Sequence, residues 1–442
     1  MTTTQQIIEK SSRLKVYENL YIKRRFNEGY EAEWFDITCD ILASSNTTAS
    51  QRLDFDNYGY GQFITGSAQF KLNNKEGNYA GTDDMYSYFS GAITRHYTKV
   101  LYKVGYYDED SDKIDEQTFY GLLNEKTAKD DYEKGEFSFS ALSLNQILAE
   151  RSVLGGVLSG ALTVTEVITR IMADTTITSY INFDVANVNP ALNFTFDDAT
   201  VYENTKVSEA LNEICLRVNS IWYIDTDNNF IVADRVANDN IAFLFKGGNS
   251  QTRATNIVKI EKFEAGYGKI INEVVFDDGA TISQYLAASD NLQKYGTNSL
   301  PIEGEDITTE SIKLDIATNI LADHAVPKKK IILTTVYMPN VLNYFDRCVI
   351  DYKPKINTFG KNILVWNGGT NFNDDYYWGS YDNRLIILPD RYYLYYGYEH
   401  NIKQGITKHY LVEGAVIGQG ISPFVWNLGN WNNTEYWNAS TA

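Results

Sequence analysis

The sequence predicts a mainly β protein with an α+β insert. Three observations predict it: aromatics at 14% with 33 Tyr, long stretches of polar–apolar alternation with period two, and a switch to helical spacing near residue 145. Tyr, Phe and Thr suit a pleated, half-buried surface, and abundant Asn and Asp suit turns. At 442 residues the chain exceeds one ordinary core, so roughly two to four domains are expected. Only 7 Pro occur, too few for a proline-rich linker.

From Tyr21 to about Ser140 the text reads as strands. Glu33–Thr38, Gln69–Leu72 and Thr98–Val104 alternate as half-buried antiparallel strands do. Asn73–Gly77 is turn chemistry, and Asp108–Asp115 reads as a hairpin tip between two strand patterns. Short strands at this spacing imply a small barrel or a sandwich. Near residue 145 the pattern changes. Thr163 and Glu166 form a capping box ahead of Val164, Val167, Ile168 and Ile171 at helical spacing. Val207, Leu211, Ile214 and Val218 make one apolar stripe on a second helix. It runs into Ile221–Ile224, a turn at Asp225–Asn229 and Phe230–Val232, a helix followed by a hairpin. Strands resume at Ile257–Ile260 and Ile270–Phe276. A third helix spans about Ser311 to His324 on an Ile312, Ile316, Ile320 seam, and Ile331–Tyr337 and Arg347–Tyr352 complete a second β-rich region.

The net charge of −18 argues against general nucleic-acid binding, which needs clustered cations. The tight basic runs, Lys23–Arg25 and Lys328–Lys330, read as solvated strand or helix ends. Cys39, Cys215 and Cys348 lie far apart and form no disulfide framework or CxxC pair, which suits assembly in a reducing cytoplasm; Cys215 and Cys348 read as core residues. Met1–Lys10 lacks the apolar core of a signal peptide. Val153–Val164 is broken by Gly155, Gly156, Ser159 and Gly160 and is too short to span a bilayer.

Enzyme signatures fail on inspection. His96, His324, His400 and His409 have no metal-ligand spacing and read as surface or helix-end residues. No G-x-S-x-G elbow occurs. Asp108, Asp110 and Asp112 begin like a calcium loop, but Lys113 stands where the sharp turn needs Gly. Asp225, Asp227 and Asn229 fail likewise at Phe230. Gly266–Lys269 lacks phosphate-loop spacing, and Asp374–Asp375 has no defined partner for glycosidase chemistry. The expectation is no catalytic residue, no cofactor and no metal. The one site-like feature is a short repeat: Val365–Gly369 leading to Tyr377–Trp378, and Val425–Gly429 leading to Tyr436–Trp437. Trp366, Trp378, Trp426, Trp431 and Trp437, beside amides, suit stacking and hydrogen bonding to sugar rings. Packing of hairpins or of a subunit interface is the reading weighed ahead of it.

Three stretches, in order along residues 20–440, resemble the tail-hub family, which includes the central baseplate hub of contractile phages and the base of the type VI secretion spike. Thr98–Tyr106 with Phe119–Leu123 resembles the first-barrel hairpin. Ser208–Ile214 with Ile221–Asp225 resembles the helix–hairpin unit. Ala288–Asp290, Lys294–Gly296, the helix ending near Pro327, Ile331–Tyr337 and Leu342–Ile350 resemble the second barrel, closed by Lys408–Gly414 and the segment after Gly420. The resemblance implies two β-barrels flanking a helix–hairpin domain. The expected division is an N-terminal arm over 1–20, a first β-barrel over 21–145, an α+β domain over 146–240 and a second β-barrel over 241–353. An inserted Trp/Asn/Tyr-rich hairpin region over 354–400 and closing strands with a tail over 401–442 complete it. The chain departs from the family at that insertion and in carrying no long spike or lysozyme-like domain after the barrel. By the same resemblance the protein is a non-enzymatic homotrimer at a virion tail tip, assembled in the host cytoplasm. Its partners would be a tail tube or distal tail ring, a tape-measure protein and tail fibre or tip proteins. Its work would be to join a sixfold tube to a threefold tip and gate the DNA channel, and an acidic surface suits a conduit DNA must pass without sticking. The alternatives are a tail-tip adhesin or distal tail protein binding host glycans through the Trp/Asn hairpins, a polysaccharide-degrading enzyme and a non-viral surface β-protein.

Overall fold

Strand pairing dominates the computed structural model, which describes residues 15–27, 29–42, 47–53, 63–107, 113–225, 227–235, 241–248, 257–264, 270–276, 281–283, 295–302, 307, 309–324, 328–336, 342–353, 392–401 and 404–414. The first β unit comprises β1 (Lys15–Lys23), β2 (Phe35–Asp36), β3 (Thr48–Leu53), β4 (Phe63–Asn73), β5 (Lys99–Tyr107), β6 (Lys113–Asp131) and β7 (Glu136–Ser143). Its ladder runs β3–β4–β7–β6–β5–β1–β2, each pair antiparallel. Beyond β2 the chain turns through a 3-10 helix, Thr38–Asp40, to Ile41, which bridges Leu72 of β4; Leu42 N donates to Lys71 O at 2.9 Å. The hydrogen-bond circuit therefore closes on itself, and this segment is a capped corner rather than the full Glu33–Thr38 strand expected. Inside lie Leu20, Phe70, Tyr102, Phe137 and Phe139, the inward positions of the period-two pattern. β7 has the pattern in its plainest form, alternately half-buried and buried along Glu136–Ser143.

A helical unit follows. It carries α1 (Asn145–Glu150), α2 (Val164–Met172), α3 (Thr175–Thr178) and α4 (Val207–Arg217), then the hairpin of β8 (Ser220–Ile224) and β9 (Phe230–Asp234). The capping box is present at α2: Glu166 N donates to Thr163 Oγ1 at 3.3 Å, and Thr163 N to Glu166 Oε2 at 2.8 Å. Thr163→Ala should lower stability by about 1 kcal/mol, read from the shift in denaturation midpoint at unchanged m-value. The apolar faces of α2 and α4 meet over Ile168, Ile171, Leu211 and Ile214. Trp222 is buried in the hairpin and donates its indole N–H to Asn212 Oδ1 of α4 at 2.7 Å, which fixes helix to hairpin.

The second β unit comprises β10 (Ile241–Gly248), β11 (Ile257–Glu264), β15 (Lys330–Val336), β16 (Arg347–Lys353), β17 (Tyr392–Asn401) and β18 (Ile406–Glu413). A small sheet of β12 (Glu273–Phe276), β13 (Thr281–Ser283) and β14 (Ser299–Ile302), together with α5 (Glu310–His324), intervenes between β11 and β15. The ladder runs β11–β15–β18–β17–β16–β10, with β10 and β16 parallel. Its two outer strands approach where Gly247 meets Ile257; a β-carbon on Gly247 would stand 2.7 Å from Ile257 Cβ. Phe245, Ile331, Leu333, Ile350, Tyr395 and Leu411 form its core.

Several expectations need correction. Lys15–Lys23 pairs residue for residue with β5, so the stretch expected as an N-terminal arm contributes a central strand. Tyr392–Asn401, inside the expected insertion, is the central strand of the second unit. Its run Tyr393-Leu394-Tyr395-Tyr396 is buried on both faces and so has no alternation to betray it. Lys328 and Lys330 are buried rather than solvated; Lys330 opens β15 and Lys328 lies two residues ahead of it. Arg24 of the other basic run is paired with Glu31. His400 and His409 are core residues, not surface ones, and His324 stands at its helix end as expected but is buried there. Cys215 and Cys348 are buried as expected, with burial holding both thiols well above their ordinary range.

Candidate functional site

The two β units are not beads on a string. β17 pairs antiparallel with β3, Gly397 opposite Arg52 through Asn401 opposite Thr48, so the ladders of both units are one continuous sheet. Gly397 makes this possible. A register shift between Tyr395 and Gly397 breaks the alternation of β17, so that Tyr393, Tyr395 and then Tyr398 all join the same core. At Gly397 φ is 130°, and a β-carbon would lie 2.3 Å from Gln51 O and 2.4 Å from Arg52 Cα. Only glycine lets the strands come this close in this conformation.

Gln51 ties the seam to the helical unit. Its Nε2 donates to Ile224 O of β8 at 3.2 Å, and its Oε1 accepts from Tyr398 Oη at 3.4 Å. Leu53, Leu394, Tyr396 and Val412 belong to the same apolar cluster as the helices, so the helical unit caps the junction from one side. On the other side His400 stacks on Tyr398 with ring centroids 4.3 Å apart, and its Nδ1 lies 2.7 Å from Thr407 Oγ1. His409 lies 4.9 Å from the Phe245 ring, with Nε2 2.9 Å from Thr335 Oγ1. Burial pushes the His409 pKa down to about 3; burial and then His409 hold His400 well below the ordinary imidazole range. Both rings are neutral at pH 7.

A second junction joins the helical unit to the first β unit. Tyr30, Tyr97 and Tyr180 cluster with ring centroids 6.1 Å from Tyr180 in both cases. Lys99 Nζ sits 4.4 Å from the Tyr30 ring, and its pKa is lowered by burial and then by Lys23. Beside them opens a cleft of about 320 Å3 lined by Arg25, Tyr97, Glu150, Arg151, Thr176 and Tyr180 among others. Tyr97 Oη donates to Glu150; burial and this carboxylate push the phenol up to about 12.

Asp225 uses Oδ1 to accept from Asp227 N at 2.9 Å and Asn229 N at 2.8 Å, a self-contained turn. No cluster of three metal-ligating side chains occurs among the described residues, and no helix among them is long and apolar enough to cross a membrane. Asp108, Asp110, Asp112, Asp374 and Asp375 lie outside the described residues, as do Trp366, Trp378, Trp426, Trp431 and Trp437. Sequence reasoning missed Gly397, Gln51 and the Arg25–Tyr180 cleft. A lone glycine inside an unbroken aromatic run was the available signal for the first; the other two depend on partners far along the chain.

No protein-family model and no curated protein matches the sequence. Among solved structures, the chain is similar to the tail protein from Neisseria meningitidis MC58, at 10% identity over 89% of this chain and 96% of that one, with a TM-score of 0.49. It is similar to the 43 kDa tail protein of prophage MuSo2 from Shewanella oneidensis, at 11% identity over 90% and 98%, with a TM-score of 0.49. It is also similar to a chain of the Francisella PdpA-VgrG complex, at 9% identity over 93% of this chain and 60% of that one, with a TM-score of 0.48. These structures are a tail protein, a prophage tail protein and a chain of a VgrG complex.

Proposed function

We propose that the protein is the structural hub of a phage-type tail tip: a homotrimeric adaptor that joins a sixfold tail tube to a threefold tip and gates the channel for genome ejection. The single observation that carries this is the seam. One chain holds two strand-rich units side by side in one sheet through β3 and β17, so three chains around an axis present six such units to a tube. The helical unit packs on residues of both β units at the junction, which supports a rigid adaptor between symmetries. Its work is geometric, and it is not an enzyme. Neighbouring partners on this reading are the tube or distal tail ring, the tape-measure protein and fibre or tip proteins, in a virion tail put together in the host cytoplasm. The domain division follows the seam: two barrel-like β units, a helical unit between them in sequence, and the Trp/Asn-rich stretch as an addition to the second.

The test is mass measurement of the purified chain by light scattering, with negative-stain imaging. The expected result is a species of three chains forming a ring with six similar lobes. A stable monomer at high protein concentration, or a ring without a threefold axis, would sink the proposal. The glycan-binding alternative predicts instead that a monomer binds envelope glycans and loses binding on Trp366→Ala with Trp426→Ala.

A further inference from the structure

One exposed turn and one cleft of this chain have complementary chemistry. The turn is Thr82–Tyr86, in the long connection between β4 and β5. Met85 and Tyr86 are 76% and 75% exposed, the most open large apolar side chains of the first unit apart from Tyr132. Single exposed apolar residues are ordinary, but two adjacent ones at a turn held in one shape are not. Asp84 holds that shape: its Oδ1 accepts from Tyr86 N at 3.0 Å, and Ser87 N donates to Asp84 O at 3.1 Å. Asp83 and Asp84 are both exposed; Asp84 Oδ1 is engaged with its own backbone, whereas Asp83 makes no such bond in the turn.

The cleft is the roughly 320 Å3 space between the first β unit and the helical unit. Four cations stand in or beside it: Arg25, Lys99, Arg151 and Lys206. Two carboxylates oppose them, and both are already bonded. Glu150 accepts from Tyr97 and from Gln146, the latter at 2.6 Å; Asp174 accepts from Arg151 Nη2 at 2.8 Å and Thr176 N at 2.7 Å. Arg25 uses Nη1 on Tyr180 Oη at 3.3 Å, and Arg151 uses Nη2 on Asp174. The result is a basic pocket with donors to spare, flanked by the rings of Tyr97 and Tyr180, on a chain whose net charge is −18. Such a pocket fits a carboxylate flanked by apolar side chains.

We propose that the Thr82–Tyr86 turn of one copy docks into the Arg25–Arg151 cleft of a neighbouring copy. Asp83 takes the Arg25 guanidinium donors that Tyr180 does not use, and Met85 and Tyr86 pack on Tyr97 and Tyr180. Each copy gives its turn to the next and takes one from the previous, a head-to-tail contact, and head-to-tail contacts close into a ring when the rotation between copies divides a full turn. The pre-formed turn lowers the ordering cost of docking. The inference rests on the trimeric reading above and supplies residues for its interface.

The experiment uses the full chain. Asp83→Lys, at an exposed position, should raise the concentration needed for half-assembly at least tenfold, and adding Arg25→Glu to the same chain should restore it in large part. In a Cys39→Ser background, Asp83→Cys protein mixed with Thr176→Cys protein should form a disulfide between copies under mild oxidation, at a rate well above that of either protein alone. Trimers that form normally with Asp83→Lys and give no cross-link in the mixture would overturn the docking while leaving the hub reading intact. A wild-type chain that never associates would overturn both.

Discussion

Replacing Gly397 by Ala should separate the two β units, at a cost on the order of 3–5 kcal/mol. Two effects add. The new β-carbon would lie 2.3 Å from Gln51 O and 2.4 Å from Arg52 Cα, both backbone atoms that cannot step aside without moving β3. The residue would also be forced into φ 130°, which L side chains rarely adopt. Gly405 provides the control. Its φ is 61°, but nothing lies within 4 Å of its would-be β-carbon, so Gly405→Ala reports backbone strain alone, about 1 kcal/mol. Calorimetry should give a single main transition for the wild type and for Gly405→Ala. Gly397→Ala should give a lower, split transition as the units melt apart. Equal melting of the two variants would mean that the seam contributes nothing beyond the strain of one residue.

Acidification should weaken the same region well before the carboxylates titrate. His409 has a folded pKa of about 3 against an ordinary value of 6.5, and His400 is depressed in the same direction, in both cases by burial first. The unfolded chain therefore binds protons that the folded chain refuses. Stability is fully present above pH 6.5 and is lost as pH falls from there toward 3. Between pH 7.5 and 5 the loss from His409 alone is about 2 kcal/mol. Glu18, whose carboxyl is raised by burial, acts in the opposite sense, so the histidine share is read from a variant. His409→Gln retains an amide within reach of Thr335 Oγ1 and should flatten the stability–pH curve by about that amount. Urea midpoints at pH 7.5 and 5 decide it; an unchanged slope in the variant would mean that His409 is hydrated in the folded protein.

Local pattern explains which parts of this architecture could be read from the residues. The capping box at Thr163, the α4 stripe and the Ile221–Val232 hairpin are set by residues within a few positions of one another, and all three stand where the pattern put them. β5 and β7 alternate cleanly because one face of each meets a single core. β17 does not, since one face meets the helical cluster and the other the second β core; a strand apolar on both sides resembles any aromatic-rich segment. The histidines misled for a related reason. His400 and His409 are neutral and each lies against a threonine across a strand, and His324, at its helix end, is buried against Arg235. The cleft is assembled from residues 25, 97, 147–151 and 175–180, a set that only the folded chain brings together.

The order in which the polypeptide is made gives the β3–β17 ladder one more consequence. Tyr398 and Gln51, which bond across it, are 347 positions apart. At ribosomal speeds of 5–20 residues per second, that distance corresponds to roughly 20–70 s of synthesis. Throughout that interval the Thr48–Leu53 edge has emerged without its lawful neighbour, open to pairing with any passing strand. A nascent chain of this protein thus has strong reason to be accompanied, or diluted, until its last quarter arrives.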